Sequence, residues 1–390
     1  MIKKRRCGLW SAIIILWLML WLVLWLMPLR VRAELRDETA GGFDTTEIEK
    51  YLKELGKSRE RELSFQGVMT KLREGDFSAV LTEAAKELKG TLFYEIKNNA
   101  GLMGRIMALA FAGAAFSAFS EIFGSGQVSE TGYYVIYLIV MTVLASGFFA
   151  SMSIAEHATE EILGFMKVLL PAYFLAVTMA GGALTSAAVC GFTLGAIGLV
   201  QTIVSKFLLP AIRIYMMTAL AGSLYREDLL SRFTELLQKG ILWTMKGMFG
   251  IIVGFHLIQG MVMPQADAVK NASIIQALQV IPGVGNGAGA AARLVMGSGV
   301  LIKNAAGAAA VIFLFIIAAV PLIKLFALMV LYYLAAAIMQ PVCDSRLVAC
   351  IAEAAKAHGI LLKLTAYSMA LFAVTIAILC VSTNAAWYAG

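Results

Sequence analysis

Charged residues are scarce in this chain of 390 residues. Asp, Glu, Lys and Arg make up 15% of the sequence, hydrophobic residues make up 60%, and the mean hydropathy is +0.81. Soluble globular domains carry about 25% charged residues, so the composition excludes that class. Several apolar runs approach the roughly 20 residues that a helix needs to cross a bilayer. The sequence therefore predicts an all-α, polytopic helical membrane protein.

Metal-binding and nucleotide-binding motifs are also missing. The five cysteines form no CxxC pair, and neither HExxH nor GxxxxGK[ST] occurs. His358 follows Cys350 by eight residues and Cys343 by fifteen. On one helix these three residues would extend over about 22 Å, which is too far to hold a single ion. We therefore expect no metal, no cofactor and no metalloprotease or ATPase chemistry.

One enzyme-like pattern is present. Gly297-Ser298-Gly299, with His256 or His358 as the base, would suit a serine protease working inside the membrane. A Gly-x-Gly triplet is weak evidence for such an enzyme, since nothing else in the sequence arranges a nucleophile elbow. We therefore predict a non-enzymatic protein without catalytic residues.

The N-terminus has the layout of a secretory signal peptide over residues 1–33. A basic stretch, Lys3 to Arg6, precedes an apolar run from Leu9 to Leu29 and a small-x-small end at 31–33. The apolar run is longer than usual, so an uncleaved N-terminal anchor is the alternative. Much of the net charge of +7 belongs to this targeting region, and no nucleic-acid partner is implied. In both cases the next segment is exported.

Residues 34–100 form the only sizeable polar region, and we predict an exported amphipathic helical segment. Ile48, Leu52 and Leu55 repeat at helical spacing. The last piece, Phe77 to Asn98, carries an apolar face that we expect to pack on the membrane surface or on a partner. A solvated helical spacer is the alternative.

Residues 101–390 predict a polytopic membrane domain of about eight or nine spans with broken helices. The spans fall at 101–122, 132–154, 163–181, 184–206, 207–222, 240–262, 299–319, 321–340 and 359–382. Pro171, Pro321 and Pro341 lie inside or near span ends, where each removes a backbone donor and favours a kink. With 34–100 exported, alternation places the basic loop 223–239 in the cytoplasm, as the positive-inside bias requires.

The segment from Ile281 to Gly307 is crowded with glycine yet lies between apolar runs. Irregular backbone at membrane depth is tolerated only where protein or water covers it. We favour a glycine-hinged helical turn on the exported side that leads into span 299–319, with a polar surface loop as the alternative. Its cations, Arg293 and Lys303, would be offered to water or to a neighbouring subunit, and Lys324 is a further candidate for lining a path.

Several short blocks resemble the stage III sporulation protein AE family. They are PAYF at 171–174, GGALTS at 181–186, IPGVG at 281–285, KNAAG at 303–307, PLIK at 321–324 and QPVCDSR at 340–346. The chain departs from the family pattern at Gln340, where an acidic residue is expected. The candidate structural or pathway residues in and around these blocks are Pro171, Gly181, Gly182, Pro282, Gly283, Gly285, Arg293, Lys303, Asn304, Gly307, Pro321, Lys324, Pro341, Asp344 and Arg346.

The resemblance implies a permease-like or export-gate-like subunit of the secretion channel that endospore-forming bacteria build between mother cell and forespore. It implies a multi-pass location in the mother-cell membrane around the forespore, within the lipid bilayer. It also implies partners from the same stage III set: a cytoplasmic ATPase, ring-forming proteins and small membrane subunits. The alternative function is a stand-alone transporter of small molecules or ions, with Lys303 and Lys324 along its route.

Overall fold

The computed structural model describes residues 44–57, 64–74, 126–180, 182–223, 230–279 and 285–382, with scattered residues between 94 and 115. The described residues contain α-helices, one π-helical turn and no strand, which confirms the all-α prediction. The helices are α1 (Thr46–Lys57), α2 (Phe65–Glu74), α3 (Gly126–Met179), α4 (Ala183–Ile203), α5 (Leu209–Gly222), α6 (Ser231–Gln279), α7 (Gly285–Met339) and α8 (Ser345–Ser382). The predicted signal peptide and most of 77–98 and 101–122 lie outside the described residues.

Within the described residues, five helical stretches are long and apolar enough to cross a membrane. They are Tyr134–Met179, Ser186–Gly222, Ser231–Val262, Met296–Met339 and Ser345–Val381. Eight of the predicted spans fall within these five stretches, because adjoining spans are joined into continuous helices. Residues Ala155 to Ile162, between the spans predicted at 132–154 and 163–181, are less hydrophobic than their neighbours but contain no Gly or Pro. Ala and Glu are good helix formers, so the backbone continues where hydropathy alone suggests a loop.

The prolines and glycines differ from the prediction in the same way. The helix continues through Pro171 in α3 and through Pro321 in α7. The glycine-hinged turn predicted over 281–307 is absent from Gly285 onward, because α7 is helical from that residue. Alanines alternate with the glycines there and supply helix propensity that the glycines lack.

A local break does occur next to Pro210. Residues Val204–Leu208 form a π-helical turn that joins α4 to α5 within one continuous stretch. Proline lacks an N–H group, and its ring clashes with the carbonyl four residues earlier, so a widened turn accommodates it. The spans predicted at 184–206 and 207–222 therefore form a single helix with a bulge.

Helix α8 lies at the centre of the bundle. In α8, 61% of the most apolar 18-residue stretch is buried. In each of the other four candidate spans, 44% or less of the corresponding stretch is buried. Its neighbours include α3, α5, α6 and α7. Two hydrogen bonds connect α3 to α8, Ser151 with His358 and Tyr173 with Cys380, and both join residues 207 positions apart. Because the difference in residue number is the same in both bonds, α3 and α8 run parallel.

The two short helices pack on the same bundle. Ile48 of α1 and Phe65 of α2 are fully buried, and the Phe65 ring lies 5.3 Å from the Phe313 ring of α7. The Tyr51 hydroxyl donates to the Glu161 carbonyl of α3 at 3.0 Å. The Glu49 carboxylate accepts from Ser64 Oγ at 2.8 Å and so ties α1 to the start of α2. The apolar positions Ile48, Leu52 and Phe65 are therefore covered by the chain itself, whereas the apolar face predicted for 77–98 lies mostly outside the described residues.

Gly299 of α7 provides a test of the packing. A Cβ atom at this position would lie 2.7–2.9 Å from backbone atoms of Met179 and Ala180. Because backbone cannot move aside as a side chain can, we expect Gly299→Ala to lower the free energy of unfolding by about 1–3 kcal/mol.

Thermal denaturation of the full-length protein in detergent measures this change. The matched control is Gly250→Ala in α6, where an added Cβ meets nothing within 4 Å. The control should keep the wild-type midpoint, and equal midpoints for both variants would contradict the close approach of α7 to α3.

Candidate functional site: buried polar contacts between the helices

Lys303 is the most unusual buried residue of the bundle. Its side chain is fully buried, and Nζ donates to the Cys380 carbonyl at 3.3 Å. Cys380 lies in the last turn of α8, where carbonyl groups have no partner within the helix. The C-terminal end of a helix also carries partial negative charge, which a cation stabilises. Lys303 therefore caps the central helix from the side of α7.

Gly307 and Tyr173 complete this cluster. The Tyr173 hydroxyl lies 3.1 Å from the Cys380 sulfur, and either atom can donate. A Cβ at position 307 would collide with that sulfur. Glycine is thus required for α7 to approach both α3 and α8 at the level of Cys380. Asn304, next to Lys303, has a buried Oδ1 with no hydrogen-bond partner in the described part of the chain.

His358 forms a second polar contact, between α8 and α3. Its Nδ1 lies 2.7 Å from the Ala354 carbonyl, so Nδ1 carries a proton, and its Nε2 lies 3.0 Å from Ser151 Oγ. With a neutral ring, Nε2 accepts from Ser151. With a protonated ring, Nε2 donates to Ser151, which can then donate to the Gly147 carbonyl at 3.0 Å. Both charge states of the ring are satisfied without moving a heavy atom.

His256 repeats this arrangement between α6 and α4. Its Nδ1 lies 2.9 Å from the Ile252 carbonyl, and its Nε2 lies 3.1 Å from Thr193 Oγ1. Thr193 Oγ1 also lies 2.7 Å from the Val189 carbonyl four residues earlier, so its single proton can go to that carbonyl or to Nε2, as in Ser151. An aromatic ring packs edge-on to each histidine, Phe192 against His256 and Phe148 against His358. Two separate helix pairs are thus joined by the same hydroxyl–imidazole–carbonyl contact.

A hydroxyl held by a histidine is also the geometry of a nucleophile and its base. Here Ser151, Thr193, His256 and His358 are each 1% exposed or less, and both hydroxyls are back-bonded to their own helices. Such hydroxyls are not exposed to solvent in the part of the chain that the structure describes. The sequence-based protease candidate pairs Ser298 with one of these histidines, whose ring nitrogens contact Ser151, Thr193 and two main-chain carbonyls.

Glu353 joins α8 to α5. Its Oε2 accepts from the Tyr215 hydroxyl at 3.1 Å, and its Oε1 pairs with Lys356 one turn along. Asp267 is a second carboxylate of interest among the described residues and is only 1% exposed. It lies beside the turn that begins α4, since a Cβ on Gly182 would be 3.8 Å from Asp267 Oδ2. The described residues contain no group of three or more potential metal ligands.

The turn at 340–344 explains another predicted block. Asp344 Oδ1 accepts from the Arg346 backbone N–H at 2.8 Å, and Asp344 Oδ2 pairs with the Arg346 guanidinium at 3.3 Å. Asp344 is therefore the N-cap of α8. Pro341 is exposed in the turn, and burial raises the pKa of the Cys343 thiol. This block serves to reverse the chain between α7 and α8.

The remaining predicted residues are dispersed. Pro171 is exposed on α3, Pro321 is buried in α7, Lys324 is half-buried and Gly182 is buried at the start of α4. Gly181, Pro282 and Gly283 lie outside the described residues, and for Gly285 and Arg293 only the helical backbone is described. Of the fifteen candidates, Lys303 and Gly307 share one site.

Sequence reasoning missed Tyr173 and Cys380 as partners of Lys303, and it missed Ser151 and Thr193 altogether. Hydroxyl residues inside apolar helices were the available signal, because such groups seek a partner across the helix interface.

Comparisons with known proteins agree with one another. The family model described as Stage III sporulation protein AE matches residues 63–383 of this chain. Stage III sporulation protein AE of Bacillus subtilis (strain 168) is 24% identical over 325 residues, which cover 82% of this chain and 80% of that protein. No solved structure matches.

Ser151 provides a test of the hydroxyl–imidazole contact. Ser151→Ala leaves Nε2 of His358 without a partner in a fully buried position, so we expect a loss of about 1–3 kcal/mol in the free energy of unfolding. Ser368→Ala is the matched control, because Ser368 is equally buried in α8 but bonds to the Leu364 carbonyl of its own helix.

Denaturation in detergent at neutral pH compares the two variants. Only Ser151→Ala should lower the midpoint substantially, and a loss of equal size in Ser368→Ala would show that the interhelical contact contributes nothing specific.

Proposed function

The chain belongs to the stage III sporulation protein AE family, and from this membership we propose that it is a non-enzymatic membrane subunit of the channel between mother cell and forespore. Membership implies a role in sporulation, and the five long apolar helices fit a multi-pass membrane protein. The match over residues 63–383 is the observation that carries the proposal, because it includes α2 and all five long helices. The role is permease-like or export-gate-like.

The buried polar groups support a non-enzymatic role. Lys303, His256, His358 and Glu353 each bond to a residue of another helix. Such contacts fix the helices relative to one another, and their hydroxyl and imidazole groups are closed to substrate. A subunit of this kind supplies a rigid membrane-embedded frame on which other components assemble.

The proposed location is the mother-cell membrane around the forespore, with residues 34–100 extracytoplasmic. The proposed partners are the other stage III channel proteins, namely the cytoplasmic ATPase, the ring-forming proteins and the small membrane subunits. Helix α1 offers them a polar surface. Its apolar face packs on the bundle through Ile48 and Leu52, whereas Lys50, Lys53 and Glu54 are exposed.

A stand-alone transporter of small molecules or ions remains the second candidate. The observation that favours it is Asp267, since a buried carboxylate in a membrane protein is a common element of ion-coupled transport. Lys303 does not support a route, because its ammonium group is buried against the end of α8. Solute uptake by proteoliposomes that is lost in Asp267→Asn would favour transport over the channel role.

Affinity purification from sporulating cells tests the channel role. The full-length protein should recover ring-forming stage III proteins, and Lys50→Glu with Lys53→Glu should reduce that recovery at least fivefold by reversing charge on the exposed face of α1.

Lys270→Glu is the matched control, since Lys270 is an exposed lysine near the far end of α6. It should recover the partners as well as wild type does. Isolation of the wild-type protein without any stage III partner would contradict the proposal.

A further inference from the structure

The five long helices carry charged residues at one common level of the bundle. In both contacts between α3 and α8 the residue numbers differ by 207, so Lys363 lies at the height of Glu156. Helix α7 runs antiparallel to α3, with Phe313 against Phe165 and Gly299 against Ala180, and this register places Lys324 within one turn of Glu156. We call this height the charged level.

The remaining two stretches reach the same level. Phe249 of α6 lies 6.0 Å, ring to ring, from Tyr367 of α8, so Lys246 of α6 is close to the height of Lys363. The α4–α5 stretch contacts α3 at two points: Gln201 accepts from Lys167, and Arg213 lies over the Phe149 ring. Lys206 lies between Gln201 and Arg213 in the sequence, and therefore lies between these two contacts in height. The charged level thus consists of Glu156, Lys206, Lys246, Lys324 and Lys363.

On one side of the charged level four of the five long stretches are uncharged for about the thickness of a bilayer, and α3 is the exception. We call this part the Gly182 end. Helix α4 contributes 21 residues without a charge. Helix α6 contributes about 20 between Lys246 and Asp267, α7 contributes 304–323, and α8 contributes all residues after Lys363. At 1.5 Å per residue these lengths correspond to about 30 Å, which is the thickness of the hydrocarbon core.

The outer surface of the Gly182 end is also apolar. Ile251, Ile258 and Met261 of α6 are 74%, 62% and 72% exposed. Between the charged level and Gly182, Lys303 and Asp267 are buried, among the residues whose side chains are described. Helix α3 adds Glu160 and Glu161 close to the charged level, and the exposed Lys167 about 16 Å from Glu156. A helical side chain leans toward the helix N-terminus, so the long side chain of Lys167 leans toward the charged level and the edge of the bilayer. A lipid bilayer can therefore contact most of this surface without meeting a charge.

The other side of the charged level, which we call the Tyr137 end, is different. Exposed charges lie among its apolar residues, including Arg213 of α5 and Arg232 and Lys239 of α6. The side chains of Arg232 and Lys239 are 94% and 68% exposed. Helices α3 and α7, of 54 and 55 residues, are about 80 Å long and exceed one bilayer by far. Part of each must lie outside the hydrocarbon, and the distribution of charge selects this end.

We propose that the bilayer surrounds the Gly182 end and that the Tyr137 end projects from the membrane into water. Helices α1 and α2 pack on one side of the bundle at Glu161 and Phe313, which lie about 8 and 14 Å from the charged level toward the Gly182 end. Their outer faces are polar, so on that side the bilayer begins beyond them. The proposal does not depend on the channel role, since it uses only charge, register and length.

This placement has a topological consequence. Helices α1 and α2, the end of α5 at Ser223, the start of α6 at Ser231 and the turn 340–344 lie on one side of the membrane, and Ala180 and Gly182 lie on the other. The two sequence-based expectations, an exported segment 34–100 and a cytoplasmic loop 223–239, therefore exclude each other. By the positive-inside bias, the basic residues of the Tyr137 end predict that this end is cytoplasmic. The signal-like N-terminus predicts that the same end is exported. Labelling from a known side decides between the two.

Single-cysteine variants of the full chain test the topology, in a background in which the five native cysteines are replaced. A membrane-impermeant maleimide should label Lys53→Cys and Arg232→Cys from the same side and Lys270→Cys from the opposite side. All three positions are exposed, and labelling after denaturation confirms that each thiol is present. Labelling of Lys53→Cys and Arg232→Cys from opposite sides overturns the proposal.

Spin labels in lipid nanodiscs test the depth independently. A label at Ile258→Cys should be reached by oxygen at least fivefold more readily than by a water-soluble nickel complex. The matched position, Ile214→Cys at the Tyr137 end, is 50% exposed and should show the reverse preference. Any other pattern, including hydrocarbon exposure at both positions, overturns the placement.

Discussion

The structure depends on the requirement that a polar group in an apolar interior must find a partner inside the protein. Lys303 meets it by capping α8, and His358 and His256 meet it through hydroxyl groups on facing helices. Each bond is individually modest, about 1 kcal/mol net, but the alternative of an unpaired group in hydrocarbon costs several times more. These contacts therefore set how far each helix can slide along its neighbour.

The axial register of the helices then determines which charged residues lie at the same height on the surface. Because α3 and α8 are held by two bonds with the same offset, Glu156 and Lys363 come to one height without contacting each other. The close approach of α7 at Gly299 and Gly307 brings Lys324 to that height as well. A slip of one turn, about 5.4 Å, would break the polar contacts and spread the charges along the bundle. The internal polar bonds and the external charged level are thus two results of the same packing.

The fold class was predictable because composition and apolar periodicity are properties of the whole chain. Lys303, Gly307, Asp344 and Arg346 could also be selected as candidates from the sequence, since charge and glycine inside apolar runs are conspicuous. The continuity of α3 was not, because Ala155 to Ile162 lowers the hydropathy as a loop would while keeping helix-forming residues. The partner of His358 was not predictable either, since Ser151 is one of many hydroxyl residues and lies 207 positions away. Such pairs are set by tertiary packing, which one sequence does not encode locally.

The central claim is that one register of five helices separates a lipid-facing end from a water-facing end. The most direct test is a cryo-electron microscopy reconstruction of the full-length protein in a lipid nanodisc, with the disc density measured against the helices. The account predicts a band that begins near Glu156, Lys324 and Lys363 and ends near Gly182 and Asp267. A band centred on Tyr137 and Leu220, or helices whose charged residues lie at scattered heights, would contradict it.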